Sequence, residues 1–175
     1  MAQTDVRMVL GELDVRRAVP YPNSIRRRAF RRGDAEAWVR IQEQTGVYPR
    51  MGVDAFRREF SDDLDVQRER IFFLEHESSG PIATSAGWFD AESSWGRVHW
   101  VAVAPAWQGR GLGTMLVVDT CELLWALGHS RIFLTTGGQN IGAIRLYLRL
   151  GFHPDPRDTE EVEAWGGIGK LLEAG

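Results

Sequence analysis

The chain has 175 residues, 43% hydrophobic and 26% charged, with a net charge of −3. These values fit one soluble globular domain with a sizeable core. They exclude a disordered chain, a collagen and a coiled coil, and show no basic excess for nucleic acid or an anionic membrane. The single cysteine, Cys121, excludes an intramolecular disulfide and a cysteine-based zinc site, and four scattered histidines form no metal cluster. Twenty of the 21 basic residues are arginine, a bias that a GC-rich coding sequence explains.

Residues 1–23 read as an N-terminal extension ending in the turn Pro20-Tyr21-Pro22-Asn23. Asp5, Arg7, Glu12 and Asp14 break any apolar leader, and no run nears the ~20 apolar residues needed to span a bilayer. The expected location is the cytoplasm, and residues 24–175 are expected to form one domain.

Within that domain, 24–30 reads as a strand, and Asp34 as the N-cap of a helix ending before Gly46. A second helix is expected over 53–60, with Phe56 and Phe60 on one face. Residues 71–75 and 82–89 read as a hairpin joined by Ser78-Ser79-Gly80-Pro81, and 98–103 as the strongest strand, stopped by Pro105. Helical period runs from Gly111 to Leu127, with Leu116, Val117, Leu123, Leu124 and Leu127 inward and Gly128 as the stop. A strand over 131–136, a helix over 141–150 and a helical tail over 158–172 complete the chain. The order βααβββαβα plus a C-terminal tail predicts an α/β layer fold: a mixed central sheet of about six strands flanked by helices.

The most informative stretch is Val101 to Leu116, VAVAPAWQGRGLGTML, a strand running through a glycine-rich turn into a helix. Glycines admit close approach of a ligand to the backbone. The first N–H groups of the helix are unpaired, and its dipole adds positive charge there. Together these suit a phosphate or pyrophosphate. No lysine follows the glycines, so a Walker A loop is excluded. A dinucleotide fingerprint fits poorly: Thr114 stands at its third glycine, and no acidic residue ends the next strand at Thr135-Thr136. A ligand-free glycine-rich helix start is the remaining alternative.

Gln108-Gly109-Arg110-Gly111-Leu112-Gly113 resembles the Q/R-x-x-G-x-G/A element of the GNAT superfamily of N-acetyltransferases, after a strand ending V-x-V-x-P at Val101, Val103 and Pro105. Asn140 to Phe152 resembles a second element of that family, N-x-x-A-x-x-L-Y-x-x-x-G-F. The two stand in the family's order, and the resemblance covers roughly residues 24–155. It implies acetyl transfer from acetyl-CoA to an amine, as a monomer or homodimer, with no metal. It also implies that the backbones of Gln108, Gly109, Arg110, Gly111, Gly113 and Thr114 hold the pyrophosphate, while Val101 and Val103 pair with the pantetheine arm.

Arg110 either adds charge toward phosphate or is simply solvated. Asn140 is expected to cap its helix and, by the resemblance, to reach the cofactor. Tyr147 is the candidate acid for the departing thiolate, since a phenol ionises near ~10 and a thiol near ~8.5. Its alternative is a purely apolar helix position. His99 is the candidate base, expected on the same strand face as Val101; its alternative is a hydrogen-bonded histidine on a sheet. The family's glutamate in this part of the strand is replaced here by Arg97 and His99, which leaves a water chain from Asp90 or Glu92 as a further route. Cys121, mid-helix and near no histidine in sequence, argues against a covalent acetyl-enzyme, so direct transfer in a ternary complex is expected. The acceptor groove is expected between 45–60 and the loops near Trp88 and Asp90, with Tyr48, Trp88 and Trp107 as lining or as core. A non-catalytic coenzyme A-binding module is the alternative function.

Overall fold

A computed structural model describes residues 4–12, 14 and 20–173. Seven strands form one sheet: β1 (Asp5–Leu10), β2 (Ile25–Ala29), β3 (Ile71–His76), β4 (Gly80–Phe89), β5 (Gly96–Val103), β6 (Ile132–Gly137) and β7 (Phe152–Pro154). Their spatial order is β2-β3-β4-β5-β6-β1-β7. All neighbours are antiparallel except β5 and β6. Six helices flank the sheet: α1 (Asp34–Gln44), α2 (Gly52–Glu59), α3 (Leu64–Arg70), α4 (Leu112–Ala126), α5 (Ile141–Arg149) and α6 (Thr159–Glu173).

The two faces hold different cores. On one, Trp38 and Ile41 of α1 and Phe56 of α2 pack with Phe30, Phe60 and Phe73. Trp38 meets the edges of Phe56, Phe60 and Trp100 at 5.1–5.6 Å, a geometry that aromatic quadrupoles favour. On the other face, Val117, Cys121 and Leu124 of α4 pack on Val98, Ile132 and Leu134. The inward set expected for α4 holds for Leu116, Val117 and Leu124, while Leu123 and Leu127 are only half-buried.

Three elements depart from expectation. Residues 5–10, read as part of an extension, form a strand inside the sheet, between β6 and β7. The reason is alternation: Val6 and Met8 are fully buried on the helix side, while Asp5 and Arg7 face the other way. Asp63, rather than any glycine, starts a short helix α3, its carboxylate accepting from Asp65 N at 2.8 Å and Val66 N at 3.3 Å. Gly33, not Asp34, is the N-cap of α1. Asp34 instead accepts from Arg31 N at 2.6 Å and pairs with Arg28 at 2.6 Å.

The arginine run of β2 lies along the sheet edge. Arg26 and Arg28 both pair with Glu75 on β3, at 2.8 Å and 3.0 Å. Arg27 lies over the Phe72 ring at 4.2 Å and reaches Asp119 at 3.5 Å. Charge of this kind protects an exposed edge from pairing with other chains.

Candidate active site

β5 and β6 pair only at Gly96–Ile132 and Arg97–Phe133. Beyond those two positions the strands diverge, and a cleft opens between the strand ending at Val103 and the strand ending at Gly137. Two devices hold it open.

The first is a bulge. Between the pairs Ala86–His99 and Thr84–Ala102, β5 has two residues, Trp100 and Val101, where β4 has one, Ser85. Trp100 takes up the extra residue with φ of 52°, a left-handed conformation that a bulky side chain rarely adopts. Buried Gln42 of α1 donates its amide to the Trp100 carbonyl at 3.1 Å, replacing a ladder partner. The bulge also reverses the alternation of β5. Val98 packs against α4 and His99 against Phe60 on the α2 side, while Val101 returns to the α4 side. His99 and Val101 thus face opposite sides of the sheet, not the same side as expected from strict alternation.

The second device is the turn from β5 into α4. Pro105–Trp107 form a 3-10 turn, and Gln108 ties it down by donating to the Val103 carbonyl at 2.9 Å. Gly109 and Gly111 have φ of 73° and 79°, and a Cβ on either would meet nothing within 4 Å. Glycine is needed there for backbone conformation, not for space. The first helical bond of α4 is Met115 N to Gly111 O, and no side chain caps the helix. The N–H groups of Gly109, Arg110, Gly111, Leu112, Gly113 and Thr114 therefore have no protein acceptor among the described residues. Consecutive N–H groups at a helix start form a concave anion site. Gly113 lets Leu146 of α5 approach, since a Cβ there would stand 3.4 Å from it.

Arg110 folds back over the Trp107 ring at 4.8 Å and donates to the Ala106 carbonyl at 3.3 Å. Trp107 also contacts His76 at 4.5 Å, so it belongs to this turn and not to an acceptor groove. Asn140 precedes α5, but its side chain makes no cap bond, contrary to expectation. It is exposed at the same end of the sheet as the glycine turn.

Tyr147 lies in the cluster of Val98, Val117 and Leu134, against which Val101 packs, on the α4–α5 side of the cleft. It is 8% exposed, its hydroxyl has no protein partner among the described residues, and burial pushes its pKa up to about 12. The phenol stays protonated and available as a donor. Cys121 is fully buried, and burial raises its pKa, so it is no nucleophile.

On the opposite face stands a group that sequence reasoning missed. Glu59, the last residue of α2, places Oε2 3.2 Å from His99 Nε2 and 3.0 Å from Trp100 Nε1. The His99 hydrogen bond, with help from Trp100, holds the Glu59 carboxyl below the usual carboxylate range. Burial lowers the His99 pKa, the Glu59 carboxylate works against that shift, and Nε2–H donates to Glu59. Both donors use one carboxylate oxygen, which leaves Oε1 without a protein partner among the described residues on a side chain that is 37% exposed. Tyr48 and Trp88 flank this group through contacts with Trp100 at 5.0 Å and Phe60 at 5.2 Å. Asp90, by contrast, is tied to Ser93 within its own turn. The signal for Glu59 was present: an acid in the last turn of a helix opposes the helix dipole and needs another reason to be there.

Among the described residues, no helix is long and apolar enough to cross a membrane. No group of three or more histidine, cysteine, aspartate or glutamate residues there could hold a metal ion.

An open mixed sheet, parted beside a fan of N–H groups with no protein acceptor among the described residues, can hold an anionic group with an extended arm. The acetyltransferase (GNAT) family model matches residues 34–152, and the chain belongs to that family. It is 29% identical over 147 residues to a mycothiol acetyltransferase of Beutenbergia cavernae, covering 78% of this chain and 48% of that one. A second, from Nocardiopsis dassonvillei, is 33% identical over 133 residues, covering 68% of this chain and 39% of that one. The chain thus spans half or less of the length of these curated relatives. Two solved structures show the same fold. A GCN5-related N-acetyltransferase from Sphaerobacter thermophilus has a TM-score of 0.69 at 22% identity, covering 86% of this chain and 48% of that one. A spermidine N-acetyltransferase from Vibrio cholerae, in complex with CoA and spermine, has a TM-score of 0.61 at 19% identity, covering 77% and 84%.

Proposed function

We propose that the chain transfers an acetyl group from acetyl-CoA to a primary amine by direct attack in a ternary complex. The observation that carries this is the parting of β5 from β6 next to six N–H groups with no protein acceptor. A pyrophosphate and an extended amide-bearing arm fit that arrangement. When bound, acetyl-CoA supplies the thioester carbonyl that the amine attacks.

The chain's own residues divide the remaining work. The N–H groups of Gly109 to Thr114 hold the pyrophosphate. Gln108 and the left-handed glycines keep those groups aimed outward. The backbones of Val101 and Val103 lie beyond the last pair with β6 and face the arm, the Val103 carbonyl sharing its lone pairs with the Gln108 amide. Glu59 meets the acceptor's ammonium through Oε1 and passes its proton to water, while His99 and Trp100 fix the carboxylate through Oε2. His99 is then a positioning residue. Tyr147 donates its hydroxyl proton toward the departing sulfur from the α5 side.

Calorimetry with acetyl-CoA, followed by thiol release across a panel of amines, tests this reading. Binding followed by amine-dependent thiol release is expected. Binding without release from any amine would leave a coenzyme A-binding module, and no binding would remove both functions.

A further inference from the structure

Arg97 is out of keeping with the other arginines of the sheet. Arg7 and Arg157 share Asp155 at 2.9 Å and 3.0 Å, and Arg26 and Arg28 share Glu75. Arg97 makes no hydrogen bond or ion pair among the described residues, and its Nε is buried without a partner. An orphaned guanidinium nitrogen is costly, because burial removes water without replacing it.

Its position gives the orphan a purpose. Arg97 forms the last β5–β6 pair, with Phe133, at the point where the cleft begins. Gly96 and Val98 on either side of it pack toward α4, which places Arg97 on the other face with His99. Its guanidinium stands 5.9 Å from the Phe133 ring, and its backbone pairs with Trp88 on β4. Glu59, Asp5 and Asp90 act on it only at longer range, and neighbouring Arg7 opposes its charge. Two residues along a strand span ~6.6 Å. A carboxylate for an ammonium thus sits beside His99, and an unpaired arginine stands two residues before His99 on the same face of the strand.

We infer that Arg97 binds an anionic group of the acceptor, so that the preferred substrate is a small amine carrying a carboxylate or phosphate close to its amino group. This rests on the transferase reading above and narrows it. The orphaned Nε and the remaining guanidinium donors match a two-oxygen anion.

The test compares matched acceptors: an α-amino acid and its neutral amide, and phosphoethanolamine and ethanolamine. Thiol release gives kcat/KM for each, and calorimetry on the CoA-loaded protein gives binding without turnover. A preference of about tenfold or more for the anionic member is expected in at least one pair, as one charged hydrogen bond provides. The pair showing it separates carboxylate from phosphate. Arg97→Gln should abolish the preference by raising KM for the anionic member, with the neutral member unchanged. Arg97→Lys, which keeps the charge and serves if the glutamine variant does not fold, should retain part of it. Equal use of both members in both pairs, or a preference that survives Arg97→Gln, would overturn the inference. Tighter binding of the anionic amine without thiol release would overturn the transferase reading while supporting the Arg97 site.

Discussion

The glycine turn allows a sharp test through Gly111→Ala. A Cβ at Gly111 meets nothing within 4 Å, so the substitution has no steric cost. All of its cost lies in the backbone, because φ is 79° and a non-glycine residue pays ~1–2 kcal/mol to stay there. If the turn holds its shape, that strain lowers stability. For a chain of this size the melting temperature should fall by about 2–8 °C. If the turn relaxes instead, the N–H fan loses its aim and acetyl-CoA affinity falls by a factor of about 5–30. Thermal melts and calorimetric titration, run side by side, read both routes. Gly111→Asn should cost less by either measure, since asparagine tolerates left-handed backbone. An alanine variant that melts and binds like the parent would refute the conformational argument for the site.

Two further predictions concern the faces of the cleft. Tyr147→Phe should lower turnover at least tenfold while changing acetyl-CoA affinity little, measured by thiol release and calorimetry; unchanged turnover would remove its acid role. Burial lowers the His99 pKa, so below about pH 6.5 the unfolded chain takes up a proton that the folded chain resists. Stability should fall as pH drops through that window, by at most ~1.4 kcal/mol per pH unit from this group. Glu59, with its pKa lowered, adds a loss only below about pH 4.3. Denaturant titrations at pH 7.5 and 5.5 should show a smaller difference for His99→Gln than for the parent, and equal differences would contradict the assignment.

Local signals were readable in the chain. The turn from Gln108 to Thr114 and the segment from Asn140 to Phe152 each carry their meaning within a dozen residues, so periodicity and glycine placement suffice. What stayed hidden depends on distant partners. Glu59 stands out as an acid ending a helix, but its meeting with His99 and Trp100 depends on how α1 and α2 fold over the sheet, which no local signal gives. The bulge at Trp100 is invisible because nothing in VHWVAV marks a left-handed residue, and it alone reversed the predicted facing of His99 and Val101. Strand β1 was overlooked because its charged positions masked an alternation that makes sense only with one face buried.

The place of β1 bears on how the molecule is made. A ribosome produces this strand before every other described element, yet its partners are residues 133–137 and 152–154. It can join no ladder until residues more than 120 positions later have emerged. Pairings this distant slow folding, and a strand left waiting is a template for unwanted association. Completion of the sheet is therefore the closing act of folding. A lesion in β7, far from the chemistry, should reveal itself first as poor yield during synthesis.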